Sequence, residues 1–242
     1  MERDFDLSYS LRMVSEENVK RQLEEIKQKV VLDDNTRILI YVKNAELHVL
    51  SHLKPIIAEI CECLICKCNQ AAITLTNHLF ENTLKQTLII WDSQGRSFSN
   101  NQLIEDTFKE EVEKYDDNNI EPNINLCRNK GIITKEEASQ LKMLKNKFRD
   151  PMSHASYTKL FTNVQMPIWR TSLGNPKSLK EEIVNISMVP IFATFAQVEF
   201  AKINAERYFL EIYALVNNLD KKLLYLYPET KEFVENQRRN NN

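Results

Sequence analysis

TKEEASQLKMLKNKFRDPMSHASYTKLF, residues 134–161, is the stretch from which both the fold and the chemistry are read. It opens on Thr134 with Glu137 three residues later, the reciprocal pairing of a helix capping box. Leu141, Leu144 and Phe148 follow at helical spacing and give the segment one apolar stripe. Asp150 before Pro151 reads as a second N-cap followed by proline at the first helical position. The helix is therefore expected to stop or kink at Asp150 and restart at Pro151.

That break has a chemical consequence. In an unbroken helix, residues five apart are turned by about 140° from one another, so Arg149 and His154 would point apart. A kink between them lets both face one cleft. His154 then sits in the first turn of the new helix, where the positive end of the helix dipole disfavours imidazolium and favours a bound anion. A fixed guanidinium beside a titratable imidazole suits phosphodiester chemistry: Arg grips the phosphate with a fork of donors, and His moves protons near neutral pH. The bland alternative is a surface histidine beyond a polar helix break, a pattern short enough to arise from composition alone.

The wider context adds to the motif. Arg149-Asp150 with His154 after them, at the end of an amphipathic helix in a helix-rich chain, resembles the HEPN superfamily, whose hallmark is Arg-x4–6-His with a polar residue after the Arg. The run Cys127–Glu137, with Gly131 as helix stop and Thr134 as cap, is similar to what stands upstream in that family. Glu81 and Lys85 fit the family's Glu-x-x-x-Lys on an earlier helix, although Gln86 stands where a second basic residue is common. The resemblance covers about 44–161. It implies an all-α, up-and-down bundle of long antiparallel helices that forms a homodimer, with Arg149 and His154 of both copies in one cleft. It also implies a metal-independent endoribonuclease acting on RNA without a cofactor. His154 would be the proton-transferring group and Arg149 the stabiliser of the anionic phosphorane. Asp150 would orient Arg149, Glu81 and Lys85 would support from the neighbouring helix, and Ser153 and Tyr157 join the candidate site. A toxin or phage-defence role, with an antitoxin or regulatory protein as partner, follows from the family and from no residue here. Tyr157 lies one residue beyond the position at which some relatives carry a modified tyrosine, so that regulation is not carried over; packing or base stacking is its milder role. The competing reading is a non-catalytic helical module that binds a protein or nucleotide.

Outward from this stretch, the composition is that of an ordinary globular chain. Of 242 residues, 43% are hydrophobic and 27% charged, and only three Gly and seven Pro punctuate the sequence, which favours long helices. A formal net charge of −2 leaves no global nucleic-acid footprint, so any RNA contact must be local. The charged start MERDFDLSYS lacks an apolar signal core, and no run of about 18 apolar residues offers a membrane span. The chain is expected to be cytoplasmic. Its five Cys, four of them within 61–68, are then expected to be free thiols.

In chain order, 15–30 reads as an amphipathic helix and Arg37–Val42 leans to helix. Asn44 is expected to cap a long helix to Cys68, kinked at Pro55. A second long helix spans Gln70–Trp91, Leu103–Tyr115 suggests a third, and Pro122 opens a short one stopped by Gly131. Thr162–Lys177 is less regular. Ser178 with Glu181 is read as another capping box, opening a helix that kinks or restarts at Pro190 and runs to about Leu219. That helix is apolar on more than one face, with Phe192, Phe195, Val198, Phe200, Ile203, Phe209, Ile212 and Leu215. It is therefore central or sits at an oligomer interface. The organisation expected is a helical extension at 1–43, a HEPN-like domain at 44–228 and a polar tail at 229–242.

Two other clusters carry residue types that bind metals. Cys61, Cys63, Cys66 and Cys68 on one helix cannot converge on a single ion, so they read as small packing residues. His48 and His52 share a face at zinc-compatible spacing but lack a third ligand and lie with Glu59 and Glu62 on a solvated side. A metal enzyme built on these groups is a third hypothesis, which EDTA-resistant activity would sink. His78, near Glu81, reads equally as site or packing.

Overall fold

The computed structural model describes residues 20, 21, 24, 34–94, 108–153, 156–172 and 175–226, without the side chains of 153, 171, 172 and 175–178. The described chain is mostly helical, with one two-stranded sheet. The helices are α1 (Asp34–Asn44), α2 (Lys54–Ile65), α3 (Asn69–Ser93), α4 (Lys109–Tyr115), α5 (Ile120–Asn129), α6 (Lys135–Leu144), α7 (Asp150–Ser153), α8 (Tyr157–Leu160) and α9 (Pro190–Leu224). Strands β1 (Gln165–Ser172) and β2 (Asn175–Asn185) lie between α8 and α9. Of the expected 1–43 extension, residues 1–19, 22, 23 and 25–33 lie outside the described residues, as do the tail after 226 and the start of the 103–115 helix.

Helix α3 is the spine. It packs on α9, α2, α4 and α5, and Leu79, Phe80, Leu84 and Leu88 along it are fully buried. The expected helix over Arg37–Val42 is α1, but Asn44 ends it rather than capping the next: its Nδ2 donates to the Ile40 carbonyl at 2.9 Å. Nor does Pro55 kink a long helix. It lies in the first turn of α2, where its missing N–H costs nothing.

The loop before α2 is closed from the far end of the sequence. Asp220, buried in α9, accepts the backbone N–H groups of His48 (3.0 Å), Val49 (2.8 Å) and Leu50 (2.7 Å). Lys67 then turns the chain in the left-handed region (φ 60°), and Cys68 N–H reaches the Cys63 carbonyl at 2.7 Å, which closes α2 and lets α3 start one residue later.

The sharpest departure from the expected all-helical chain is the hairpin. Ser178 and Glu181 open no helix: both are in β2, which pairs antiparallel with β1, Pro167 opposite Ile183 and Trp169 opposite Glu181. Pro167 is tolerated because a two-stranded ladder has only edge strands. The helix that follows starts at Pro190, because Val189 before it is held extended (φ −120°, ψ 99°). From there α9 runs unbroken for 35 residues. Its C-terminal half is central, with Tyr208, Phe209, Ile212, Val216 and Leu219 buried, whereas Ile191, Phe195 and Val198 in its first turns are exposed.

Candidate active site

The capping box forms as the sequence predicts. Glu137 N–H donates to Thr134 Oγ1 at 3.1 Å, and Thr134 N–H donates to Glu137 Oε2 at 2.7 Å. The same carboxylate ties α6 to α9, accepting from Asn218 Nδ2 at 2.9 Å. Leu141, Leu144 and Phe148 are buried, as their stripe requires. Phe148 stacks on Tyr208 of α9 with ring centroids 4.2 Å apart, and Tyr208 donates to Asn77 Oδ1 of α3 at 2.8 Å. The end of this helix is thereby fixed against α3 and α9 together.

The helix does not stop at Asp150. The helix passes from α6 through a π-helical turn, Lys145–Arg149, into α7, and Asp150 is helical (φ −64°, ψ −46°) rather than an N-cap. Its N–H reaches back to the Lys145 carbonyl, five residues away. Proline in a regular helix drives its ring into the carbonyl four residues back. The wider turn moves that carbonyl aside, so the chain accepts Pro151 without stopping. One extra residue per turn also changes which side chains face α3.

Arg149 is the residue it aims. Nε and one Nη of its guanidinium lie 2.6 Å from Glu81 Oε1 on α3, and the other Nη lies 3.2 Å from Asp150 Oδ1. Lys145 extends the chain of charges, at 2.9 Å from Asp150 Oδ2 and 3.1 Å from Glu121 Oε2 of α5. Desolvation pushes the Asp150 carboxyl up, but the hydrogen bonds from Lys145 and Arg149 outweigh it and hold the group below its ordinary value. Arg149 is raised: burial opposes its charge, and the bonds it donates to Glu81 and Asp150 overcome that. Three carboxylates thus face two cations, with Arg149 only 19% exposed.

The structure brings Arg149, Asp150 and Glu81 together. It does not add Lys85, which turns to Asp116, donating to its backbone carbonyl and lying 3.8 Å from Oδ1. Tyr157 faces α9, its hydroxyl 3.3 Å from Thr194 Oγ1. His154 and the Ser153 side chain lie outside what is described. His78 is exposed. Sequence reasoning missed Lys145 and Glu121. Lys145 stands five residues before Asp150, a spacing that meets only across a π-turn, so no helical rule flags it.

Among the described residues no three His, Cys, Asp or Glu side chains are placed to hold a metal ion. Cys61 is buried and Cys68 exposed, and burial raises the Cys61 thiol to about 11. No described helix is long and apolar enough to cross a membrane. A second polar node lies farther along α3. There Asp92 accepts from Lys130 (2.6 Å), Tyr115 (2.5 Å) and Lys114 (2.9 Å).

No family model, curated protein or solved structure matches the chain.

Proposed function

We propose that this chain is a HEPN-like, metal-independent endoribonuclease working as a homodimer, with Arg149 and His154 as its reacting pair. The supporting observation is the hold on Arg149: a half-buried guanidinium clamped at 2.6 Å by Glu81 from another helix, 68 residues away, at a π-turn five residues before His154. Such turns cluster at functional positions. In this reading His154 takes the proton of the ribose 2′-hydroxyl or returns one to the leaving oxygen. Arg149 stabilises the phosphorane with donors that Glu81 and Asp150 leave unused, since a guanidinium has five N–H groups. The products carry 2′,3′-cyclic phosphates. A toxin or phage-defence setting with a regulatory partner belongs to the same reading.

The test is cleavage of a mixed RNA pool by the purified chain in EDTA, with end-group analysis. Cleavage lost in His154→Ala and in Arg149→Met, with helical circular dichroism retained, supports the reading. Undiminished cleavage in His154→Ala, or none by the native chain, defeats it. The second reading, a non-catalytic helical module, draws on the pairing of Arg149 with two carboxylates, which leaves little net positive charge for a phosphate.

A further inference from the structure

The turn from α2 into α3 sets two cysteines against each other. Lys67 N–H donates to the Leu64 carbonyl at 3.0 Å and Cys68 N–H to the Cys63 carbonyl at 2.7 Å, with Lys67 left-handed between them (φ 60°). Those two bonds around a left-handed residue are the Schellman close of a helix, and the side chains such a close brings into contact stand at the ends of its longer bond. Here both are cysteines, Cys63 and Cys68. The same bond limits their separation. Backbone geometry adds at most about 3.9 Å to the 2.7 Å bond. The two Cα atoms therefore lie within about 6.6 Å, inside the roughly 4.4–6.8 Å that a disulfide spans. Cys68 Sγ lies 3.9 Å from the Cys66 carbonyl oxygen, so this side chain folds back over the end of α2. Both thiols are free.

We infer that Cys63 and Cys68 are a redox site that hydrogen peroxide closes to a disulfide, Cys68 meeting the oxidant and Cys63 resolving it. The roles follow from exposure. Cys68 is exposed and lines an open cleft of about 470 Å³ with Lys67, Gln70 and, from α9, Val198, so a small solute reaches it. Cys63 is half-buried, and burial pushes its thiol up, with the nearby Cys68 sulfur adding to the rise. The thiolate is the reactive form, so Cys63 is suited less to a passing solute than to a sulfur held beside it. In the first step the Cys68 sulfur, its proton given up, attacks one peroxide oxygen and the O–O bond breaks. The departing oxygen takes that proton and leaves as water, and Cys68 becomes a sulfenic acid. In the second the Cys63 sulfur attacks the Cys68 sulfur, the S–O bond breaks, and the hydroxyl leaves with the Cys63 proton as a second water. The two thiols have lost two electrons, which the peroxide has gained. Other pairings fit less well. Cys61 is fully buried and turned by about 200° from Cys63 around α2. Cys63 and Cys66, three apart at helical spacing, hold their Cβ atoms about 5–6 Å apart, beyond the roughly 3.5–4.5 Å of a disulfide. The site lies about 20 Å along α3 from Glu81 and takes nothing from the nuclease reading.

The test treats the full, reduced chain with a small excess of hydrogen peroxide, blocks the remaining thiols with N-ethylmaleimide and maps the tryptic peptides. Trypsin cuts after Lys67, between the two cysteines, so the disulfide leaves two peptides joined until dithiothreitol releases them. The native chain and Cys66→Ser are expected to give the joined pair in equal yield. Cys63→Ser and Cys68→Ser, with helical circular dichroism retained, are expected to give at least tenfold less, and Cys63→Ser to hold Cys68 as a sulfenic acid that dimedone traps. A native chain that gives no joined pair overturns the inference. So does a pair lost in Cys66→Ser, which makes Cys66 the partner, or one undiminished in Cys63→Ser.

Discussion

Removing the charge of Glu81 should destabilise the chain through Arg149 and through little else. The two side chains are 29% and 19% exposed, so solvent screens them only partly. Unit charges about 4 Å apart interact by roughly 4 kcal/mol at the effective dielectric of such a site, and desolvation takes back much of it. A hydrogen bond to a charged group is worth about 1.5–3 kcal/mol net. Asp150, at 3.2 Å, stays behind to balance Arg149 when Glu81 is neutralised. The expected cost of Glu81→Gln is therefore about 2 kcal/mol, toward the lower end of that range. The assay is a double-mutant cycle by urea unfolding, with Glu81→Gln, Arg149→Met and the double variant. Coupling of about 1 kcal/mol or more is expected. If the two changes add to within about 0.5 kcal/mol, as independent sites do, Glu81 does not hold Arg149 and the site reading loses its support.

Asp220→Ala leaves three backbone N–H groups without their acceptor, so a loss of about 3 kcal/mol is expected, seen as a melting point lower by roughly 6–12 °C for a chain of this size. Thr134→Ala removes one half of the capping box and should cost about 1 kcal/mol in urea unfolding. At Asp92 burial works to raise the carboxyl, but the bonds from Lys130, Tyr115 and Lys114 bring it down to about 2. Its folded value is depressed, so its contribution is present above about pH 4, the unfolded value, and is lost as pH falls toward 2. That contribution is on the order of 2 kcal/mol, and Asp92→Asn should flatten the stability loss between about pH 4 and 2 in acid titrations followed by circular dichroism.

Local patterns carried the parts of this fold that local forces decide. The Thr134–Glu137 box, the α6 stripe and the long α3 all rest on neighbours within a few residues, and each stands where the sequence puts it. The hairpin was hidden because Ser178 and Glu181 have capping-box spacing, while the pairing that overrides it lies in β1, some ten residues upstream. Asp220 was hidden for the same reason at longer range: nothing around it announces that its partners are His48–Leu50. At the site, Arg149 and Asp150 were legible from spacing and Glu81 only through the family resemblance, while what aims Arg149 was not legible at all. Asp-Pro reads as a stop, whereas the helix continues through a π-turn with Phe148 packed on Tyr208.

That continuation separates two causes. If the proline ring forces the π-turn, Pro151→Ala removes the clash and restores an N–H, and the turn should tighten to regular helix. Tightening removes one residue from the turn and rotates Arg149 by on the order of 100° relative to α6, which would take it off Glu81. The Glu81–Arg149 coupling, measured in the Pro151→Ala background, should then fall below about 0.5 kcal/mol. If the ion pairs force the turn, Lys145 to Asp150 and Arg149 to Glu81 persist with alanine in place, and the coupling stays at about 1 kcal/mol or more. The first result makes Pro151 the positioning residue of the site and ties its sequence signature, Arg-Asp-Pro, to its geometry. The second assigns that role to Lys145, which the motif does not contain.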